Sequence, residues 1–443
     1  MTELPQTPTH QAPDPNNADL VDGTAPVKPA RKVYESQLEL RRNRRRTPKW
    51  IFVALFAAVS TVLYYLIVVA PHVRRHVNTA GKLVFIAEDR NTGHSHIWIS
   101  NIDGSNPKQL TKGDSSEESP TFSADGNQIA FSSNREGGIY QLFVMDADGK
   151  NLVQITKNAV PKLFPRFDPV DSTELFYIAD GGLNVVNTFT FESDRLLPQT
   201  ANGPHTDVDQ GMSGNDHMLI KSYDLSHTAN SKITSVAAVE DFNGINRLVL
   251  LPDINGKSIE SQSDIAQTPV GGAPSSPIVA SDAMTVRWKP DGRSVAVSMI
   301  GINGMGGDKG LSAIALFTTD GHIVPPGPFF VVRDKSEGLQ NSAFFPDGSR
   351  IVAEVWSKAD TDQPDRIGIA TLPVTGGVPT MMLPSPGESP TVDRAGDKVF
   401  VLVFNKKGIR SLVSLDLKNH DVNAVTNSPG DITEYSLSPQ GQS

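Results

Sequence analysis

Four short clusters hold residue types that do chemistry in other proteins. Asp146 and Asp148 in MDADGK stand where a calcium loop would begin, yet no acidic ligand follows at the spacing such a loop requires. An Asp-Gly step between two apolar runs reads instead as a hairpin turn. His94 and His96 in GHSHIW could bracket a metal, but they precede one strand and have no further ligand nearby in sequence. Ser105 and Lys108 have the S-x-x-K spacing of a serine acyl enzyme, which needs a helix start where this chain has an Asp-Gly hairpin. GMSG at 211–214 lacks the strand-to-helix elbow of a hydrolase nucleophile and reads as a turn. With no cysteine anywhere, thiolate nucleophiles, thiolate-held metals and disulfides are excluded. The expectation is therefore no catalytic residue, no metal and no cofactor.

The elements that surround these clusters fall into two regions. Residues 1–49 hold nine basic and six acidic side chains, and Arg74 and Arg75 follow shortly after. The part from residue 81 onward therefore carries a net charge of −14, although the whole chain carries only −9. A repeat domain that acidic is repelled by phosphate backbones, so nucleic acid is not an expected partner.

Residues 1–30, with LPQTPTHQAPDPNN, lack the spaced apolar side chains that let an element bury a face and read as disordered. Residues 31–49 form a basic juxtamembrane segment, read as a topology signal or as a lipid-headgroup contact. The run WIFVALFAAVSTVLYYLIVVA, Trp50 to Ala70, contains no charge. At about 1.5 Å per residue it would span roughly 30 Å, the thickness of a bilayer's hydrocarbon core. Trp50, Tyr64 and Tyr65 add interfacial aromatics. The cluster RRNRRR lies N-terminal to it, so the positive-inside rule places the N-terminus in the cytoplasm and everything beyond residue 70 outside. A cleaved signal peptide would have a shorter apolar core and a shorter leader.

From Gly81 the pattern changes to short alternating strands separated by Asp-Gly and Asn-Gly turns, an all-β signature. The clearest unit, Ser119 to Thr156, reads as four strands: PTFS, QIAFSS, YQLFVMD and LVQIT. Its first half recurs in FPRFDPVDSTELFYI, MTVRWKPDGRSVAVS, NSAFFPDGSRIVAEV and SPTVDRAGDKVFVLV. A period in the forties with four strands per unit indicates the blades of a β-propeller. First strands near 120, 164, 207, 284, 342, 389 and 434 give seven blades, with six and eight left open by the irregular unit near 207. The chain stops at EYSLSPQGQS, a first strand without its second, and GKLVFIAED at Gly81 supplies that second strand. The ring is expected to close there, within residues 81–443, which removes its open sheet edges.

The boxes FSADGNQIAFSSNREG and LFVMDADGKNLVQIT closely resemble the propeller repeats of TolB and related bacterial proteins. The resemblance implies the fold, a bacterial cytoplasmic membrane for the anchor, and extracytoplasmic scaffolding through protein contacts. TolB itself carries an N-terminal α/β domain, which here has no counterpart; a membrane helix stands in its place.

In a four-stranded meander the first-to-second and third-to-fourth turns share one face of the ring. The Asp-Gly turns at 103, 125, 148, 291, 320 and 347 are assigned to that face as structural features. The long connections 252–283, 299–310, 324–341 and 357–366 are assigned to the opposite face of the fourth to sixth blades. Long loops on a rigid scaffold concentrate function. Asp308, Lys309, Asp334, Lys335, Asp360, Asp362, Asp365 and Arg366 are the candidate binding residues there. The functional expectation is a membrane-tethered scaffold that docks another envelope protein. A channel-centred enzyme or glycan-binding protein acting on polysaccharide or peptidoglycan fragments is the alternative, and a transmembrane sensor is the third reading.

Overall fold

The structure, a computed structural model, describes Ser60 and residues 81–439, except 198–217, 228–233, 243–244, 252–261, 264–278, 304–310, 320, 323, 325–329, 333–336, 358–364 and 426–429. The tail 1–30, the basic segment 31–49, the run Trp50–Ala70 apart from Ser60, and GMSG at 211–214 lie outside the described residues. Among the described residues no helix is long and apolar enough to cross a membrane.

Seven antiparallel four-stranded sheets make up the fold. The first blade contains β1 (Lys82–Glu88), β2 (Ser95–Asn101) and β3 (Lys108–Gln109). The second runs β4 (Glu117–Phe122), β5 (Gln128–Ser133), β6 (Gln141–Asp146) and β7 (Val153–Gln154), and the third β8 (Leu163–Phe167), β9 (Glu174–Ala179), β10 (Gly182–Asn187) and β11 (Ser193–Leu197). The fourth is β12 (Met218–His227), β13 (Thr234–Phe242), β14 (Ile245–Leu251) and β15 (Gln262–Ser263); the fifth is β16 (Val279–Trp288), β17 (Ser294–Asn303), β18 (Leu311–Thr318) and β19 (Phe330–Val332). The sixth comprises β20 (Glu337–Phe344), β21 (Arg350–Ser357), β22 (Asp365–Pro373) and β23 (Thr380–Leu383). The seventh comprises β24 (Gly387–Val392), β25 (Lys398–Phe404), β26 (Arg410–Asp416) and β27 (Val422–Ala424), after which β28 (Asp431–Leu437) returns to the first blade.

That return closes the ring as expected from the termini. β28 pairs antiparallel with β1, Leu83 opposite Leu437 and Val84 opposite Ser436. The Lys82 amide donates to Ser438 Oγ at 3.1 Å, and the Ser438 amide donates to the Lys82 carbonyl at 3.0 Å. Every blade thus pairs all four strands, and the edge left by β1 is filled from 350 residues away.

Middle strands such as QIAFSS and QLFVMD are buried almost throughout, because each sheet is covered on both faces by neighbouring blades. The core is correspondingly divided into seven apolar clusters, one at each blade boundary. Between the first and second blades, for example, Val84, Ile86 and Ile97 pack on Phe122, Ile129, Phe131 and Phe143. Full burial of each such side chain contributes about 1.5–3 kcal/mol.

The tight turns fall where the repeat pattern assigns them. Gly126, Gly292 and Gly348 hold φ of +70°, +65° and +65° in the first-to-second turns, and Asp125, Asp291 and Asp347 accept the amide two residues on. The Ser349 amide and hydroxyl hold the Asp347 carboxyl below the usual range, and Ser105 does the same for Asp103.

Two expectations need correction. The fourth blade begins at β12, with MLIKSYDLSH as its first strand, so the strand start near 207 is displaced by one strand. Its first-to-second connection carries no Asp-Gly turn, which hid the frame. The stretches 252–283 and 324–341 are not single connections: the first contains the outer strand β15 and the start of β16, and the second the outer strand β19 and the start of β20.

Candidate functional site

The seven first strands β4, β8, β12, β16, β20, β24 and β28 converge on one cavity of about 600 Å³ to which every blade contributes. Strand register defines its central ring. Phe122, Phe167, Leu225, Trp288, Phe344, Val392 and Leu437 occupy one equivalent position, opposite Ile129, Leu175, Val236, Val295, Ile351, Val399 and Leu83. One residue earlier stand Thr121, Arg166, Asp224, Arg287, Ala343, Thr391 and Ser436, and all but Ala343 line the cavity. Three consecutive blades, the third to fifth, therefore present Arg, Asp and Arg, while the other four present small neutral side chains.

A register break in every first strand places backbone around this ring. In four blades the residue two before the ring is left-handed: Ser119 (φ +52°), Phe164 (+53°), Asn341 (+47°) and Ser389 (+53°). Pro120, Pro165 and Pro390 follow three of these, and proline is tolerated because a bulged strand facing a channel needs no ladder donor there. For a bulky residue such as Phe164 the left-handed backbone costs on the order of 1–2 kcal/mol. The side chain gains no core packing in return: Phe164 is 54% exposed.

Neighbouring blades hold these bulges. The Tyr223 hydroxyl lies within hydrogen-bond distance of the Phe164 carbonyl (2.5 Å) and the Phe176 carbonyl (3.2 Å). Tyr435 does the same to Ser389 (2.5 Å) and Phe400 (2.8 Å) one boundary before β28. Burial holds both phenols above their ordinary value, so they act as donors. Glu434 accepts from the Ser119 amide at 2.5 Å, and burial pushes its carboxyl up. Glu354, fully buried, accepts from the Ser389 amide (2.8 Å) and from Asn341 Nδ2 (2.9 Å) with one oxygen.

The charges of the ring are unequally satisfied. Arg166 Nη1 lies 2.9 Å from Asp224 Oδ1 and its guanidinium sits 5.5 Å from the Tyr223 ring centroid. Asp224 also accepts the Trp288 amide at 2.8 Å. Arg287 makes one hydrogen bond among the described residues, from Nη1 to the Val286 carbonyl at 2.9 Å. Burial and then the nearby Arg166 charge lower its pKa.

Of the candidates from the long-loop face, Asp308, Lys309, Asp334, Lys335, Asp360 and Asp362 lie outside the described residues. Asp365 opens β22 and is exposed. Arg366 is half-buried and committed to a blade-joining ladder: Glu354 at 3.2 Å and Glu388 at 3.2 Å, with Trp356 and Phe404 rings 4.5 and 6.0 Å from its guanidinium. Arg410 continues the ladder from Glu388 (3.6 Å) to Asp431 (3.0 Å).

Three of the four chemical clusters hold described residues with structural partners. His96 Nδ1 is 3.2 Å from Glu117 Oε2, and that buried carboxylate also accepts from Thr111, Ser115, Ser133 and Arg135. Among the described residues no group of three or more His, Asp or Glu could hold a metal ion. Asp146 accepts from Asn151 Nδ2 at 2.7 Å within its turn. Ser105 donates to Asp103, whereas Lys108 reaches the Asp148 carbonyl at 2.7 Å in the next blade.

The channel ring was missed by sequence reasoning, although its signal was present. SYDLS at 222–226 matches EYSLS at 434–438, which would have framed the fourth blade and aligned Arg166, Asp224 and Arg287.

No family model matches the chain, and no curated protein matches it. Solved structures do. TolB from Acinetobacter baumannii is 14% identical, with TM-score 0.44, over 82% of this chain and 67% of that one. That this chain is a seven-bladed propeller rests on its own strand pairing. An oligogalacturonate lyase from Vibrio parahaemolyticus is 14% identical, with TM-score 0.46, over 82% of this chain and 89% of that one. The β-propeller domain of Cps50 (Swd1) from Myceliophteria thermophila is 11% identical, with TM-score 0.45, over 75% and 95%. At these identities and TM-scores the likenesses carry no argument about function.

Proposed function

We propose that this chain is a binding module of the cell envelope, tethered to the cytoplasmic membrane by Trp50–Ala70, with its propeller outside, docking another envelope protein. The observation that carries the binding reading is the axial recess, ringed by all seven blades and lined by side chains and bulged backbone rather than filled by core. Its two carboxylates are occupied: Asp224 by Arg166 and the Trp288 amide, Glu434 by the Ser119 amide. That employment favours recognition over a carboxylate pair working on a glycan, which needs one acid and one base free to exchange protons. The tether rests on the uncharged run and on RRNRRR before it.

The test is photo-crosslinking in the native cell, with the crosslinker replacing exposed Asp365 on the long-loop face or exposed Lys418 on the tight-turn face. A discrete protein adduct from position 365 and none from 418 is the expected result. Adducts only from 418 would sink the proposed face, and no adduct from either would sink the docking reading.

A further inference from the structure

We propose that the axial recess is a receptor for a carboxylate group that carries an apolar substituent, with Arg287 as the anion clamp and Phe164 as apolar surface in the same recess. The assignment rests on the binding reading above and is independent of the membrane tether. A guanidinium has five N–H donors in a planar fork, and Arg287 uses one of them, on a backbone carbonyl, leaving four without a protein acceptor among the described residues. A half-buried cation in that state is costly, and a carboxylate matches the fork with two parallel bonds.

The electrostatics of the ring favour that ligand over a cation. Arg166 and Asp224 neutralise each other, so the Arg166, Asp224, Arg287 sector retains one positive charge although the propeller as a whole is acidic. Thr121, Ala343, Thr391 and Ser436 at the other ring positions add no charge, and Glu434, which also lines the cavity, accepts the Ser119 amide and has its carboxyl pushed up by burial, towards the neutral form. Three of them supply hydroxyls, and their small size leaves the space open.

Phe164 supplies the second half of the argument. The large aromatic side chains of the clusters are buried, whereas Phe164 lines the cavity at 54% exposure on a left-handed backbone held by Tyr223. An exposed aromatic on a held backbone and a guanidinium with unused donors, lining the same cavity, suit a ligand with one apolar and one anionic end. The free C-terminus of a polypeptide ending in an apolar residue has this chemistry, and so does a small organic acid.

Titration calorimetry on the full chain in detergent micelles separates them. The probes are 3-phenylpropionate and its amide, and a pentapeptide ending in Phe as free acid and as C-terminal amide. At least one acid should bind about tenfold or more tightly than its amide, as expected when bonds to a charged group are lost. Arg287→Gln should abolish that preference, whereas Lys418→Gln on the distant turn should retain it. Should Arg287→Gln not fold, Arg287→Lys asks the same question, since it keeps the charge and loses the fork; its preference should fall by about threefold or more. Binding of the peptide alone assigns the site to a protein terminus, and binding of both acids assigns it to the carboxylate itself. Equal binding of acid and amide, an unchanged preference in the Arg287 variants, or no saturable binding of either acid would overturn the proposal. Adducts from position 365 that persist alongside any of these would leave the docking reading standing.

Discussion

Glu354→Gln is the substitution that most directly tests how the recess is held. The wild-type carboxylate is fully buried and has four donors: Asn341 Nδ2 (2.9 Å) and the Ser389 amide (2.8 Å) on Oε1, Trp356 Nε1 (3.1 Å) and Arg366 Nε (3.2 Å) on Oε2. An amide of the same shape keeps one acceptor oxygen, so its NH2 faces either the first pair of donors or the second. Two bonds to a charged acceptor, each worth about 1.5–3 kcal/mol, are lost while their donors stay buried. Arg366 keeps Glu388 at 3.2 Å, which tempers the loss. The expected destabilisation is about 3–5 kcal/mol, the range for removing one partner of a buried pair. Urea unfolding measures it, and hydrogen exchange at the Ser389 amide locates it. A loss under about 1 kcal/mol with Ser389 protection unchanged would refute the claim that Glu354 fixes the bulge of the seventh blade.

Two further outcomes follow from buried groups elsewhere. Lys162 is buried against Asn158 Oδ1 (2.6 Å) and the Val160 carbonyl (2.8 Å), and desolvation pushes its pKa down to about 8 from 10.5. Because the folded value is depressed, the unfolded chain binds more protons between about pH 8 and 10.5, and wild-type stability rises with pH there. Relative to Lys162→Met, the wild type should therefore gain about 3 kcal/mol between pH 7 and pH 11, read by denaturant titrations of both proteins. A flat or falling difference would contradict a desolvated Lys162. Gly430 stands at the closing strand, where a Cβ would lie 2.1 Å from the Glu88 carbonyl oxygen. Gly430→Ala should shift β28 against β1 and cost about 1–3 kcal/mol, accompanied by faster exchange of the Val84 and Ile86 amides, which face β28; unchanged exchange would show that the closure does not depend on that approach.

The sequence determined the fold because propeller blades are local. A strand, an Asp-Gly turn and the next strand lie within some fifteen residues, so SPTFSADGNQIAFSS carries its own hairpin and its repetition counts the blades. The split blade was equally legible, since EYSLSPQG needs a second strand and KLVFIA supplies one. The fourth blade was not, because its first turn has no Asp-Gly step and the frame slipped by one strand.

Only the tertiary structure decided what the ring presents at its centre. Arg166, Asp224 and Arg287 are separated by some sixty residues each, and nothing in their local sequence distinguishes a channel residue from a solvent-facing one. Strand register puts them on adjacent blades, and Arg166 then satisfies Asp224 while Arg287 is left, among the described residues, with unused donors. Arg366 shows the converse: its place beside a long loop suggested recognition, and its contacts across the blade boundary with Glu354 and Glu388 make it a clamp. Periodicity specifies which residues form a strand, whereas partnering across blades specifies which charges remain free, and that second property is not written in any single repeat.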